Sequence, residues 1–131
     1  MKNNRKLAAE WFEKGDDDEK SIGAILKENG APSTACFLSQ QMAEKYLKGY
    51  LVYQNKEVPK THDLVMLFNL VKKIDLTFIK FQESVEILNR YYIITRYPAD
   101  FPQGFSRDVA KEAFEITQAI KGFIFNKVFS K

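Results

Sequence analysis

The segment Tyr92-Ile93-Ile94-Thr95-Arg96-Tyr97-Pro98 places a guanidinium and two phenols where a long apolar helical pattern has to stop. Proline cannot extend the preceding helical turn and drives Tyr97 away from the α region. Arg96 is therefore expected on a short rigid corner rather than on a flexible arm. A planar, permanently charged donor in that setting suits a carboxylate or a phosphate. Two readings stay open at this point: the corner receives an anionic ligand, or Arg96 is buried against an acid and pins the fold. Asp18 is the acid to consider, because it falls on a helical stripe with Trp11 and Ile22. A carboxylate on an apolar stripe needs a partner. Arg96 is the first candidate for that partner and Lys45 the second.

A further group of polar side chains, Gln41, Glu44, Lys45 and Lys48, lies on one helical pattern. Glu44 and Lys48 form an i,i+4 pair, with Gln41 on the same side. Such a pattern is ordinarily a solvated helix face, and it gains interest only if it sits near the Arg96 corner. The run Asp16-Asp17-Asp18-Glu19 invites a metal, but adjacent acids on a helix point in different directions and cannot converge on one ion. His62 is the only histidine, so no multi-histidine metal site exists. At the start of a helix its ring is expected to cap or to pack locally. No Ser-His-Asp or Cys-His signature surrounds Ser39, Ser106 or Cys36, and no glycine-rich phosphate loop appears. Neither a metal nor a cofactor is expected.

The elements that position these residues are helical throughout. Leu7, Trp11, Gly15, Asp18, Ile22, Ile25 and Leu26 recur at three- and four-residue steps, the helical period, and Asn29-Gly30 closes that helix before Pro32. Gly15 inside it costs about 1 kcal/mol relative to Ala, so it marks a kink or the close approach of a second helix. The second helix opens near Ser33 or Thr34 and runs to about Gln54. It carries two apolar stripes, Cys36-Ala43-Leu47-Tyr50-Leu51 and Leu38-Met42-Tyr46-Tyr53, which suits a central helix or one that also serves a dimer interface. Thr61 is expected to cap a third helix, with Asp63 in its first turn and Leu64, Leu67, Phe68 and Val71 on its core face. Asp75 or Thr77 starts a fourth, with Phe78, Phe81, Val85, Leu88, Tyr91 and Tyr92. Ser106 caps the last, whose stripe is Val109, Ala113, Ile116, Ile120, Phe123 and Ile124. No strand-period segment and no internal repeat is found. The fold class is all-α: a single domain over residues 1–131, an up-and-down antiparallel bundle of about five helices.

Composition agrees. One chain of 131 residues, 45% hydrophobic, supports one core and does not indicate disorder. The net charge of +3 is too small to imply nucleic-acid binding by itself. Cys36 is alone and flanked by apolar residues, hence a buried inert thiol without disulfide or metal role. The first residues carry no apolar run of a secretion signal, and no segment has the length of a membrane span. A cytoplasmic location is expected. Eleven Phe and six Tyr are more large aromatics than one small bundle readily buries, which points to a homodimer using Tyr46, Tyr53 and Tyr91.

Taken in order, Trp11 with Asp18, Gln41-x-x-Glu44-Lys45-x-x-Lys48, Thr61-His62-Asp63-Leu64 and Tyr92-x-x-x-Arg96-Tyr97-Pro98 resemble the HEPN domain of bacteria and archaea, from about Lys6 to Phe125. The resemblance implies an up-and-down helical bundle that commonly dimerises. It also implies an association with small nucleotidyltransferases encoded alongside, in two-gene modules that include toxin–antitoxin pairs. Other members are metal-independent ribonucleases, and nucleotide binding is a further expectation of the family. The ribonuclease branch carries an Arg followed a few residues later by His. Here no histidine follows Arg90, Arg96 or Arg107. Cleavage of RNA without metal needs one group to take the 2′-hydroxyl proton and another to protonate the leaving oxygen. A tyrosine of ordinary pKa is a poor base at neutral pH.

The sequence thus points to a non-catalytic domain that binds a nucleotide or RNA phosphate and acts with a minimal nucleotidyltransferase. Its candidate ligand-binding residues are Asp18, Glu44, Lys45, Lys48, His62, Tyr92, Arg96 and Tyr97. The alternatives are a ribonuclease toxin that uses Arg96 with His62 or a tyrosine, and a structural dimer module in which Arg96 only pairs with Asp18 or Glu44.

Overall fold

The apolar spacing resolves into five α-helices in a computed structural model that describes residues 4–95 and 104–130, the Ile94 side chain excepted. They are α1 (Asn4–Lys27), α2 (Pro32–Tyr53), α3 (Leu64–Ile74), α4 (Gln82–Ile94) and α5 (Arg107–Phe129), with a 3-10 turn over Leu76–Phe81 leading into α4. The fold is an all-α helical bundle, with no strand among the described residues. Among these residues, no helix is long and apolar enough to cross a membrane.

Each boundary has a local cause. α1 ends before Asn29, whose φ of 60° is the left-handed conformation that stops a helix; Gly30 then donates its N–H to the Ile25 carbonyl at 2.7 Å. The left-handed residue is thus the asparagine of the Asn-Gly pair. α2 begins at Pro32, one or two residues before the expected start, with Ala31 at the cap and no side-chain bond there. Proline suits the first helical position because that N–H has no intrahelical partner in any case. α3 is capped by Asp63 and not by Thr61: the Asp63 carboxylate accepts from Val65 N at 3.0 Å and Met66 N at 3.2 Å. Thr61 lies two residues back and accepts from Asp63 N at 3.1 Å. Asp75 opens the 3-10 turn, accepting from Thr77 N at 2.9 Å and pairing with Lys127 of α5 at 2.7 Å. Lys127 and the Thr77 bonds together hold the Asp75 carboxyl down, to about 2. Ser106 caps α5 through Val109 N at 3.1 Å, as expected.

α2 is the central helix and packs against each of the other four. Its buried side chains lie on nearly every side, including Cys36, Met42, Ala43, Tyr46, Leu47, Tyr50 and Leu51. Of the three tyrosines expected at a dimer surface, Tyr46 and Tyr91 are core residues instead. Tyr46 is fully buried and Tyr91 nearly so, while Tyr53 is only half-buried. Tyr46 can be buried because its hydroxyl donates to Asp16 Oδ1 at 2.5 Å, so the polar tip is satisfied. Burial and that carboxylate push its phenol well above the ordinary tyrosine range. Around it Phe12, Phe125 and Phe129 meet edge to face at 5.1–6.2 Å between centroids. The core face of α1 is correspondingly Ala8, Phe12, Gly15 and Ile22, rotated from the expected stripe, and Leu7 is exposed.

Gly15 lets the Tyr46 ring of α2 lie directly on the α1 backbone. A Cβ there would stand 2.8 Å from Tyr46 Cε1 and Cζ, and the ring cannot yield because it is buried and tied to Asp16. Gly122, inside α5, has nothing within 4 Å of its virtual Cβ. Gly15→Ala is therefore expected to lose about 1–3 kcal/mol through overpacking, outweighing the helix-propensity gain, whereas Gly122→Ala gains up to about 1 kcal/mol. Urea unfolding of both variants checks this, and a change of the same sign at the two sites contradicts it.

Candidate functional site

On α2, Glu44 and Lys48 follow one another by a single helical turn and bond at 2.9 Å. Their side chains are only 4% and 8% exposed, so the expected solvated face is instead a buried ion pair. The reason lies in the neighbours. Trp11 of α1 lays its indole 5.3 Å from the Lys48 ammonium, a cation–π contact that also excludes water. On the other side Glu44 Oε1 accepts from His62 Nδ1 at 2.9 Å and more weakly from Gln41 Nε2 at 3.4 Å. One carboxylate thereby serves three donors, which is the condition for keeping it ionised inside a protein. Alongside, Lys45 bonds Asp18 at 2.7 Å. Burial pushes the Asp18 carboxyl up, the bond and charge of Lys45 pull it down, and the negative Asp17 and Glu44 add to the rise.

His62 stands in the connection before α3 and is held from three directions. Its carbonyl accepts from Gln40 Nε2 of α2 at 2.8 Å, and its ring is tied to Glu44. The next residue, Asp63, is bound by Asn89 Nδ2 of α4 at 3.1 Å, while Asn89 Oδ1 accepts from Leu64 N at 2.7 Å. The imidazole lies on the Tyr92 ring, with 4.5 Å between centroids and planes 14° apart. Tyr92 in turn stacks on Phe37 of α2 at 5.8 Å and 29°. Because an ionised carboxylate only accepts, Nδ1 carries the hydrogen in the neutral ring and Nε2 is the nitrogen left for other contacts. The His62 side chain remains 52% exposed.

Of the residues singled out in the sequence, the structure gathers Glu44, Lys48, His62 and Tyr92 with Trp11, and sets Asp18 with Lys45 beside them. Asp18 takes Lys45, the second of its two candidate partners. Arg96 and Tyr97 lie outside the described residues. The lysines do not line an open groove as unpaired cations: Lys48 is buried against Glu44, and Lys45 is paired with Asp18. Each of the two lysines thus faces its own acid. The neighbouring acids reach different partners, as helix geometry requires: Asp16 and Glu19 share Lys121 at 3.0 and 2.5 Å. Among the described residues no group of three potential metal ligands converges.

Sequence reasoning missed Phe37, Gln40 and Asn89. Gln40 had a signal: a fully buried amide one turn after Cys36 on the apolar stripe must find a partner, and it finds the His62 carbonyl. Asn89 had only its place one turn before Tyr92, which does not reveal that it faces the start of α3.

Two comparisons bear on this arrangement. The family model described as HEPN domain matches residues 8–128. The crystal structure of TT1696 from Thermus thermophilus is similar to this chain with a TM-score of 0.79 and 30% identity, over 92% of this chain and 97% of that one. Among curated proteins none matches.

Breaking the buried pair from one side leaves a charge without a partner. Lys48→Ala is expected to cost about 3–5 kcal/mol, whereas the double variant Glu44→Gln, Lys48→Met, which removes both charges and keeps an acceptor for His62, recovers most of that loss. Thermal and denaturant unfolding check the pair; a Lys48→Ala protein as stable as the wild type contradicts the burial.

Proposed function

The chain belongs to the HEPN domain family, and from that membership we propose that it is a non-catalytic nucleotide- or RNA-phosphate-binding domain that acts with a separately encoded nucleotidyltransferase. Membership supports the general HEPN-type role, related to nucleotides or RNA. HEPN domains commonly dimerise, and a homodimer is the assembly we propose here. Exposed Leu7 and Phe129, rather than the buried Tyr46 and Tyr91, belong to the apolar surface available for it. A toxin–antitoxin module with the nucleotidyltransferase is the setting that suits such a pair.

The observation that carries the non-catalytic reading is the placement of the sole histidine. His62 precedes every arginine of the C-terminal half, and its Nδ1 is occupied by a buried glutamate. Each protomer brings a single imidazole, whereas strand cleavage needs two proton-transfer groups at one phosphate. Burial raises the Tyr46 and Tyr91 phenols, so even less of either is ionised at neutral pH than of a free tyrosine. Arg96, four residues beyond Tyr92 in the chain, supplies the phosphate contact in this reading.

The purified protein is expected to leave single-stranded RNA intact in EDTA at neutral pH, read on a denaturing gel. Robust cleavage that disappears in His62→Ala would overturn the reading in favour of a ribonuclease.

A further inference from the structure

We propose that the half-exposed imidazole of His62 is a stacking platform for one nucleobase of the bound nucleotide or single-stranded RNA. The inference rests on the binding role proposed above and names the contact that makes it.

Three rings form a column: Phe37, Tyr92 and His62, with centroid spacings of 5.8 and 4.5 Å and interplanar angles of 29° and 14°. The innermost members are half-buried between α2 and α4, and among the described residues the column ends at the imidazole, which is more than half exposed. A flat ring supported on one face offers the other for stacking, and every base has a π-face to place there. An aromatic side chain on a loop usually gives up freedom when it binds. His62 has little left to lose, since Glu44 fixes its ring, Gln40 fixes its carbonyl and Asn89 fixes the residue that follows. The Nε2 edge remains available to a polar group of the base or the ribose.

The neighbouring cations argue against a phosphate contact at this spot. Lys48 is buried under Trp11 and bonded to Glu44, and Lys45 is bonded to Asp18. What the described part of the cluster presents outward is a ring, not a charge.

The test uses the full chain in fluorescence anisotropy with a labelled single-stranded oligoadenylate and a matched abasic strand. The wild type is expected to prefer the oligoadenylate. His62→Ala is expected to weaken that binding roughly 5- to 100-fold, and His62→Phe, which keeps the stacking surface, to stay within about threefold. Because either substitution could disturb the fold, the wild type is also titrated with AMP. The imidazole C–H proton signals, assignable because the chain has one histidine, are expected to move upfield as the base stacks. Wild-type protein that binds neither strand overturns the nucleic-acid reading itself. Binding of both strands alike, or oligoadenylate affinity unchanged in His62→Ala, overturns the stacking platform and leaves that reading standing. Imidazole signals that stay still at saturating AMP overturn it too.

Discussion

A carboxylate and an ammonium kept out of water within one turn of α2 set the terms for the rest of this structure. A buried ion pair contributes little net stability, because the cost of desolvation offsets most of the attraction, and it survives only if every remaining donor and acceptor is satisfied. That requirement recruits groups from α1, from the connection before α3 and, through the imidazole, from α4. Trp11 brings α1 over the ammonium. His62 brings the connection before α3 to the carboxylate. Tyr92, stacked on that imidazole, brings α4. The pair is better understood as the point on which these elements are registered than as a source of folding energy.

The periodicity of the chain showed the bundle, and the chemistry of its punctuation showed most helix ends. Ser106 caps where its side chain predicts, whereas Asp75 caps only the 3-10 turn and α4 itself starts later than expected, at Gln82. The glycine at position 15 marks a close approach for the reason its helix cost suggests. Burial was less legible. An i,i+4 Glu-Lys pair reads identically in solvent and under a tryptophan, so nothing local distinguishes Glu44-Lys48 from a surface pair; the difference lies in Trp11, more than thirty residues away. The same limit misplaced Tyr46. A tyrosine on a second stripe reads as an interface residue until Asp16, from another helix, is seen to accept its hydroxyl. For Asp18 the need for a cation followed from the stripe, but the choice of Lys45 depended on the α1–α2 packing.

Burial also reshapes the functional argument. Lys45 and Lys48, counted as free cations in the sequence, become counter-ions once their acids are seen, and what the described part of the cluster presents is aromatic rather than basic. In this HEPN-family chain the single imidazole is bonded to Glu44 and stacked on Tyr92, so the contact proposed for it uses a ring already fixed in place.

The claim that the buried carboxylate holds His62 can be read directly from the nitrogen signals of that one imidazole. In 15N-labelled protein at a pH where the ring is neutral, the account predicts the tautomer protonated on Nδ1, with Nε2 unprotonated. It also predicts loss of that preference when Glu44 is replaced by alanine. A wild-type ring protonated mainly on Nε2, or averaging freely between the two tautomers, would contradict it.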